Sequence, residues 1–388
     1  MPLATTRVFN YLCQVHFTYP ARAPRFKATQ RHSRYNEPMN TDVLSYDISQ
    51  LDDVLSEPSQ PRFRAKQLKK WLYVDGARSY DDMTNVPKSL RAQLAERAPL
   101  ILPEIVDRQH SNDGTRKYVF QYADGVRVEA VGIPSLDAKE TRNEPKHLTV
   151  CFSTQAGCAM ACSFCATGTE GLSRNLSSGE MVMQVLMVQQ DFGVRVTNVV
   201  SMGQGEPFQN YRSCLDALRF MNSKDGLGIG ARHITISTCG LIKGIEQLSH
   251  EPEQFTLAVS LHAARQTVRD ELMPRCSSLT LDHLREALVS YTHLTKRRVS
   301  LEYLMIKDVN DTEEDLKALQ SFTHGLLCHV NLIPLNAIEG SNYEPSAPAW
   351  QQHWVQSLKS SGTECTIRNS RGSDIDGACG QLKNKLAR

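Results

Sequence analysis

The stretch HLTVCFSTQAGCAMACSFC, residues 147–165, indicates both the fold of this chain and the kind of site it contains. Its first half is an apolar run typical of a buried strand. Its second half is a C-x3-C-x2-C array formed by Cys158, Cys162 and Cys165. Three thiolates leave one iron of a four-iron cluster without a protein ligand, and an open metal position is what a catalytic site requires. The array therefore predicts an iron–sulfur site at the end of a strand.

A structural zinc site is the alternative interpretation of the same array. Such sites normally take four protein ligands, and no second C-x2-C pair follows here, so Cys151 or His147 would have to complete the set. The chain is 388 residues long and holds 11 cysteines, an odd number with uneven spacing. That pattern excludes the disulfide framework of a small secreted domain.

Strand-like and helix-like segments alternate from this stretch toward the C-terminus. Six strands, the first of them HLTVCFS, are each followed by a helical segment. Such alternation predicts a parallel sheet with helices packed outside it. We therefore expect an α/β fold with a partial (β/α)6 barrel, whose active site lies at the carboxyl ends of the strands.

The composition is that of a globular protein. Hydrophobic residues make up 40% of the chain and charged residues 22%, which excludes a chain disordered over most of its length. No run approaches the roughly 18 apolar residues of a transmembrane helix. The formal net charge is +2, so any nucleic-acid site must come from local clusters of basic residues.

The region before the barrel divides into three predicted segments. Residues 1–40 carry six Arg or Lys and one acid. This composition is typical of a transit peptide, but we favour the alternative that the true start is Met39 and that the start codon is misassigned. We expect disorder here in either case. Residues 41–104 predict a basic helical accessory domain, whose charge is either a solvated helix face or an RNA-binding surface. Its third helix is expected to open at Asp81, Asp82 and Thr84. Residues 105–146 predict a β-hairpin and linker region.

The barrel core is expected to span residues 147–345. Residues 346–388 are then expected to form a C-terminal helix, a strand and a Gly-rich tail that contains Cys379. Basic residues of this last segment are candidates for phosphate contacts; they are Arg368, Arg371, Lys383 and Lys385.

The cysteine array resembles that of the radical S-adenosylmethionine (SAM) superfamily, and Phe164 is the aromatic usual before its last cysteine. The resemblance implies a 4Fe-4S cluster on Cys158, Cys162 and Cys165. It also implies that SAM chelates the remaining iron and is cleaved by one electron to a 5′-deoxyadenosyl radical.

Polar residues at later strand ends extend this resemblance. The segment MGQGEP at 202–207 follows the second strand and is similar to the superfamily motif in which the backbone at Gly205 and the carboxylate of Glu206 hold the SAM amino group. Because the strand ends of a barrel meet on one face, we expect further SAM contacts from residues that end the third, fourth and sixth strands. These are Ser237, Ser260, Leu261, His262 and Asn336.

Motifs outside the cysteine array narrow the resemblance to the RlmN/Cfr family of radical SAM rRNA methylases, and to its RlmN branch. The resemblance covers about residues 45–385. Its motifs are IRNSRGSDIDGACGQL (367–382), VEAVGIP (128–134), RNLSSGE (174–180), SLHAA (260–264), FRAKQLKKWLY (63–73) and MTNVPKSLR (83–91).

Family membership implies a methyl carrier and two further catalytic residues. A first SAM would methylate Cys379, and a radical made from a second SAM would activate that methyl group for addition to carbon 2 of adenine. Glu129 would accept the proton of the substrate carbon, and Cys151 would release the product by forming a disulfide with Cys379. Without the resemblance, Cys151 reads as an inert buried strand cysteine and Glu129 as a solvent-facing strand residue.

The resemblance also implies the partners. The expected substrates are 23S rRNA, at an adenosine of the peptidyl-transferase centre, and some tRNAs, at the adenosine 3′ of the anticodon. We expect an electron donor such as flavodoxin, no membrane association, a monomer and a cytoplasmic location. Two alternatives stay open: Cfr-type methylation of adenine carbon 8, and a non-enzymatic zinc-containing RNA-binding protein.

Overall fold

The computed structural model describes residues 41–54, 61, 63–135, 146–169, 171–336, 338 and 340–383. The predictions for residues 1–40 and for Lys385 lie outside this part of the chain. Its helices are α1 (Leu51–Val54), α2 (Phe63–Lys70), α3 (Lys88–Arg97), α4 (Ser178–Phe192), α5 (Tyr211–Asn222), α6 (Ile242–Ser249), α7 (Gln266–Leu272), α8 (Leu281–Thr295), α9 (Glu313–Thr323) and α10 (Pro348–Ser360). None of these described helices is both long and apolar enough to cross a membrane.

Ten of the twelve described strands form one sheet, in the order β1-β2-β3-β4-β7-β8-β9-β10-β11-β12. The strands are β1 (Glu104–His110), β2 (Arg116–Gln121), β3 (Arg127–Ser135), β4 (His147–Cys151), β5 (Gln155–Gly157), β6 (Leu172–Asn175), β7 (Asn198–Ser201), β8 (Ile234–Thr238), β9 (Thr256–Ser260), β10 (Val299–Met305), β11 (Cys328–Pro334) and β12 (Glu364–Ile367). Strands β5 and β6 pair separately as a short antiparallel ribbon.

The parallel part of the sheet confirms the predicted α/β class. Strands β4, β7, β8, β9, β10 and β11 are the six expected strands, and each pairs in parallel with its neighbour. Strand β12 adds a seventh parallel strand beside β11. Strands β1, β2 and β3 extend the same sheet as an antiparallel meander, joined to it through β3 and β4. The β-hairpin expected within residues 105–146 is formed by β2 and β3, which pair antiparallel.

Local sequence signals explain where the helices begin and end. Helix α4 starts with a capping box, in which the Ser177 side chain accepts from the Glu180 amide and the Glu180 side chain accepts from the Ser177 amide. The helix is terminated by Gly193, which has a left-handed backbone with φ 68°. The buried faces of these helices and the strands share one large apolar core. The carboxyl ends of the strands can therefore carry polar residues without placing them in this apolar core.

The start of the third predicted helix is wrong. Residues Tyr80–Asp82 form only a single 3-10 turn, and α3 begins at Lys88 instead. Pro87 precedes α3 with φ −54°. A proline disfavours helical backbone at the residue before it, so the segment from Asp81 to Val86 cannot run continuously into α3.

Candidate active site

The cysteine loop is held between the two strands of the β5–β6 ribbon. Gly157 ends β5 with φ +78°, and a Cβ there would lie 2.0 Å from the carbonyl oxygen of Gly171. Only glycine permits this close approach, which allows the Cys158 amide to donate to Gly171 at 2.8 Å. The far side of the loop is fixed by the Ser163 amide, which donates to the Leu272 carbonyl at 3.0 Å.

The pKa values of the Cys158 and Cys162 thiols are shifted by burial and by neighbouring groups. Burial raises the pKa of Cys158 to about 11, and the pKa of Cys162 is raised by burial and then by the neighbouring thiols. Bound iron would have to displace these protons, because thiolate is the form that ligates metal.

The three cysteines of the loop form a donor set that suits an iron–sulfur cluster. Cys158, Cys162 and Cys165 all border one cavity, and each cysteine of a 4Fe-4S cluster binds a different iron. Within the described residues, no group of three or more His, Cys, Asp or Glu side chains is placed to hold a single metal ion.

A cavity opens directly above the cysteine loop, and we call it the cluster cavity. It is bordered by the three cysteines and by residues from the ends of β7, β8, β9 and β10. Among its lining residues are Gly205, Glu206, Ser237, Ser260, His262, Glu302, Arg368 and Cys379.

The MGQGEP loop forms one wall of the cluster cavity. Gly203 runs so close to the residue that follows the neighbouring strand β4 that a Cβ would lie 2.7 Å from the carbonyl carbon and oxygen of Phe152. Glu206 is buried, which raises its pKa, and its carboxylate accepts from the amides of Phe208 at 2.9 Å and Cys239 at 2.7 Å. A carboxylate has about four acceptor positions, so Glu206 retains acceptor capacity for an ammonium group.

The other residues predicted to contact SAM divide into two groups. Ser237, Ser260 and His262 line the cluster cavity. The Leu261 side chain instead packs into the apolar core, so only its backbone can face a ligand. Asn336 does not line the cavity, but its Nδ2 donates to the Cys379 carbonyl at 3.3 Å.

The C-terminal tail is fastened to the cysteine loop. The Ala166 amide donates to Gly380 at 2.8 Å, and the Thr167 hydroxyl donates to Leu382 at 2.7 Å. These bonds bring Cys379 into the wall of the cluster cavity.

Cys379 also borders a second cavity, which we call the thiol cavity. Cys151, at the end of β4, lines the same cavity. Burial raises the pKa of Cys151 to about 12, the neighbouring Cys379 adds to this effect, and Arg368 opposes it. Cys151 is therefore buried, as expected for a strand cysteine, yet it shares a cavity with the predicted carrier.

Glu129 is buried, so its interpretation as a solvent-facing residue is wrong. Its carboxylate pairs with the equally buried Lys117 at 3.5 Å, and Lys117 Nζ donates to the Asp376 carbonyl of the tail at 3.5 Å. Strand alternation puts Glu129 on the same face as Val131, which packs against Cys151. Glu129 lines neither the cluster cavity nor the thiol cavity.

Four basic residues of the accessory region pair with acids. Lys66, Lys69, Lys70 and Arg91 each lie within 3.5 Å of an aspartate. In the tail, Arg368 lies in the cavity walls, and Arg371 donates to Pro134 at 3.0 Å and pairs with Asp113. The two tail arginines thus act within the protein instead of forming an exposed basic patch.

Two residues of the site gave no signal in the sequence. Asn310 is fully buried, and it donates to the carbonyls of His262 at 2.7 Å and Leu304 at 2.6 Å. Glu302 lies in the middle of β10 and reaches the cluster cavity. A strand-end rule does not select a mid-strand residue, and the Asn310 contacts depend on tertiary folding.

Known proteins resemble this chain over most of its length. A family model for the ribosomal RNA large subunit methyltransferase N-terminal domain matches residues 41–100, and the radical SAM superfamily model matches residues 152–319. A probable dual-specificity RNA methyltransferase RlmN of Clostridium novyi is 41% identical over 348 residues, which are 89% of this chain and 98% of the relative. A relative of the same description from Alkaliphilus metalliredigens is 42% identical over 89% of this chain and 95% of its own length.

A solved structure agrees with the sequence relatives. The crystal structure of a radical SAM methyltransferase from Sphaerobacter thermophilus matches with a TM-score of 0.81 at 41% identity, covering 88% of this chain and 99% of that one. Membership of the superfamily implies a 4Fe-4S cluster and SAM, for which the cysteine loop and the cluster cavity provide suitable residues. The chain belongs to the RlmN family of radical SAM RNA methyltransferases.

Proposed function

We propose that this enzyme methylates carbon 2 of an adenosine in 23S rRNA and of the adenosine 3′ of the anticodon in some tRNAs. The methyl group passes through S-methylcysteine at Cys379, and two SAM molecules are used per turnover. One observation carries the proposal: Cys379 borders both the cluster cavity and the thiol cavity that contains Cys151. A binding protein has no use for a thiol at such a junction.

The work is divided between the two cavities. When bound, the cluster supplies the electron that cleaves SAM to a 5′-deoxyadenosyl radical. Gly205 and Glu206 hold the SAM amino group, while Ser237, Ser260, His262 and the Leu261 backbone contact the rest of the molecule. Cys379 first takes a methyl group from one SAM by polar displacement. It then loses a hydrogen atom from that methyl group and attaches the carbon to adenine.

Two further residues complete the transfer. Glu129 accepts the proton that leaves the substrate carbon. The radical adduct would also give up one electron, for which the oxidised cluster would be the acceptor. The Cys151 thiolate then attacks the Cys379 sulfur, forms a disulfide and frees the methylated base. Cellular thiols or a reductase return the disulfide to two thiols. The position of Cys151 beside Cys379 supports this step, and Glu129 requires the adenine to approach β3.

The remaining assignments follow from the family. The helical region of residues 41–104 serves RNA binding, residues 105–146 join it to the barrel core at 147–345, and residues 346–388 carry the tail with Cys379. Asn336 positions the tail through the Cys379 carbonyl. We propose a flavodoxin-like electron donor and a monomeric, cytoplasmic enzyme.

The test is methylation by the anaerobically reconstituted enzyme. Wild type is incubated with SAM, a reductant and unmodified 23S rRNA or tRNA, and the nucleosides are identified by mass spectrometry. Cys379→Ala removes the carrier. Cys328→Ala is the control, because Cys328 is another free cysteine but lines neither cavity. We expect 2-methyladenosine from wild type and Cys328→Ala, and none from Cys379→Ala.

Each other outcome has a defined meaning. 8-Methyladenosine from wild type would assign the enzyme to the Cfr-type reaction at carbon 8. SAM cleavage without a methylated nucleoside would contradict the RNA substrates. A colourless protein that binds zinc and RNA but never cleaves SAM would support the non-enzymatic alternative.

A further inference from the structure

Arg368 occupies the place where three cavities meet. It lines the cluster cavity, the thiol cavity and a third space inside the barrel, which we call the lumen cavity. The lumen cavity is walled by inward-facing residues of β8 to β12, among them Thr235, Thr256, Ser300, Asn331 and Thr366. The positive charge of Arg368 therefore lies next to both cavities in which the proposed reaction takes place, the cluster cavity and the thiol cavity.

The backbone position of Arg368 is set by the edge of the sheet. Arg368 follows β12 directly, and its amide donates to the Leu332 carbonyl of β11 at 2.8 Å. The parallel pairing of Leu332 with Ile367 fixes the register immediately before it. The arginine therefore enters the barrel from a rigid strand, although the tail beyond it is a loop.

One carboxylate orients the guanidinium. Nη1 of Arg368 lies 3.8 Å from Oε2 of Glu302 and 3.6 Å from the Met202 sulfur. The other carboxylate oxygen of Glu302 accepts from Ser300 Oγ at 2.8 Å and from Asn331 Nδ2 at 3.0 Å. These two bonds hold Oε1 of Glu302 in place, and Oε2 is the oxygen nearest to Arg368.

Both reactive thiols act on the same guanidinium. The pKa of Arg368 is raised first by Cys379 and then by Glu302 and Cys151, against the opposing effect of burial. In return, Arg368 lowers the pKa of Cys151, which burial otherwise raises. The nearby Arg371 does not share this role, because it is engaged with Asp113 and the Pro134 carbonyl.

The resolving step of the proposed reaction needs such a cation. Only a thiolate attacks sulfur efficiently, and burial keeps the Cys151 thiol protonated. In the step, the Cys151 sulfur bonds to the Cys379 sulfur while the bond from Cys379 sulfur to the methylene carbon breaks. The electron pair of that bond goes to the carbon, which takes a proton and becomes the methyl group. Two sulfurs are oxidised to a disulfide as the carbon is reduced.

We propose that Arg368, oriented by Glu302, is a positioning residue that stabilises the negative charge on the Cys151 and Cys379 sulfurs during carrier methylation and disulfide formation. The inference rests on the proposed function of the two cysteines. It adds Arg368 to the residues of the reaction. The charge of Arg368 would control how readily both thiols react, whether or not RNA is bound.

The first test needs neither RNA nor SAM. The cluster-loaded full chain is treated with iodoacetamide over a range of pH, and alkylation of Cys151 and Cys379 is measured by peptide mass spectrometry. Changed exposure alters the plateau rate at high pH, whereas changed charge moves the midpoint of the profile. For Arg368→Gln we expect both thiols to be alkylated about three- to tenfold more slowly near pH 8.

Matched variants separate charge from structure. Arg368→Lys keeps the charge and should recover most of the alkylation rate. Arg285→Gln removes the same charge from α8, where Arg285 donates to the backbone carbonyls of Phe322 and His324, and should behave as wild type. If Arg368→Gln does not fold, Glu302→Gln is decisive in the opposite direction, because glutamine can still contact the guanidinium but no longer offsets its charge, so alkylation near pH 8 should be faster.

A second readout follows the chemistry itself. During turnover with RNA, Arg368→Gln should retain a covalent protein–RNA adduct, visible on a denaturing gel, that wild type resolves. The inference is overturned if folded Arg368→Gln alkylates both cysteines with the wild-type profile. If wild type methylates no RNA but the variants still show these profiles, the proposed function has failed and the arginine–thiol coupling stands.

Discussion

The Nδ1 atom of His262 accepts a hydrogen bond from the backbone amide of Leu304 at 3.1 Å. Since an amide can only donate, Nδ1 must be unprotonated and the ring presents Nε2 as its other nitrogen. The ring is buried and meets Phe164 edge-on at a centroid distance of 4.7 Å. Strand β10 thus sets the orientation of a residue that lines the cluster cavity.

His262 should make stability depend on pH. Burial lowers its pKa to about 3 from the ordinary value of 6.5, with Arg269 adding to the effect. In the unfolded chain it takes up a proton below pH 6.5, whereas the folded chain does so only near pH 3. The folded state is therefore destabilised as pH falls from 6.5 toward 3, by at most about 1.4 kcal/mol per pH unit.

The substitution His262→Asn tests this contribution. Asparagine can accept from Leu304 and tolerates the left-handed backbone at this position, where φ is 56°. Urea unfolding of the cluster-free chain between pH 4 and pH 8 should show a shallower loss of stability at low pH than in wild type. Equal slopes for the two proteins would show that the histidine does not titrate as stated.

Asn310 should be a major contributor to stability. Besides its bonds to His262 and Leu304, its Oδ1 accepts from the Ile306 amide at 2.7 Å. Asn310→Ala leaves these buried backbone groups without partners, so the free energy of unfolding should fall by about 2–4 kcal/mol. Denaturant unfolding measures the change. Asn222→Ala, which removes a single bond to Ile229, should cost less, and equal costs would contradict the argument.

The close approach of Gly203 to Phe152 should be required for SAM binding. Gly203→Ala places a methyl group against the Phe152 backbone, which must move the MGQGEP loop. We expect SAM affinity of the cluster-loaded enzyme to fall about tenfold or more in equilibrium dialysis. Gly230→Ala is the control, because its φ of −59° accepts any residue and its added Cβ meets only the His233 ring, at 3.2 Å; it should keep wild-type affinity, and an unaffected Gly203→Ala would contradict the prediction.

Removing the resolving thiol should trap the reaction. Cys151→Ser keeps the size of the side chain but cannot form a disulfide, so RNA should stay attached to Cys379. Labelled RNA on a denaturing gel should migrate with the protein, and the yield of methylated nucleoside should fall. Cys328→Ser should form no lasting adduct. A normal yield from Cys151→Ser would assign product release to another group.

Much of the core was predictable because its signals are local. The six β/α units follow from hydrophobic runs and helix caps such as Ser177 with Glu180, and each is confirmed in its expected place. The third helix was mispredicted because the acidic residues before Pro87 resemble a helix start, although the proline begins a new helix. Glu129 was misjudged as exposed because strand alternation does not reveal that the C-terminal tail covers that face.

The sequence by itself determined the barrel class, the family and the identity of the chemical groups. Spacing of a few residues is enough to place Cys158, Cys162 and Cys165 in one loop. Only the tertiary structure decided which distant groups meet. Cys151 and Cys379 share a cavity because the tail bonds to the cysteine loop through Gly380 and Leu382. Arg368 joins them because β12 adds a seventh strand, and such long-range contacts depend on packing that no local pattern encodes.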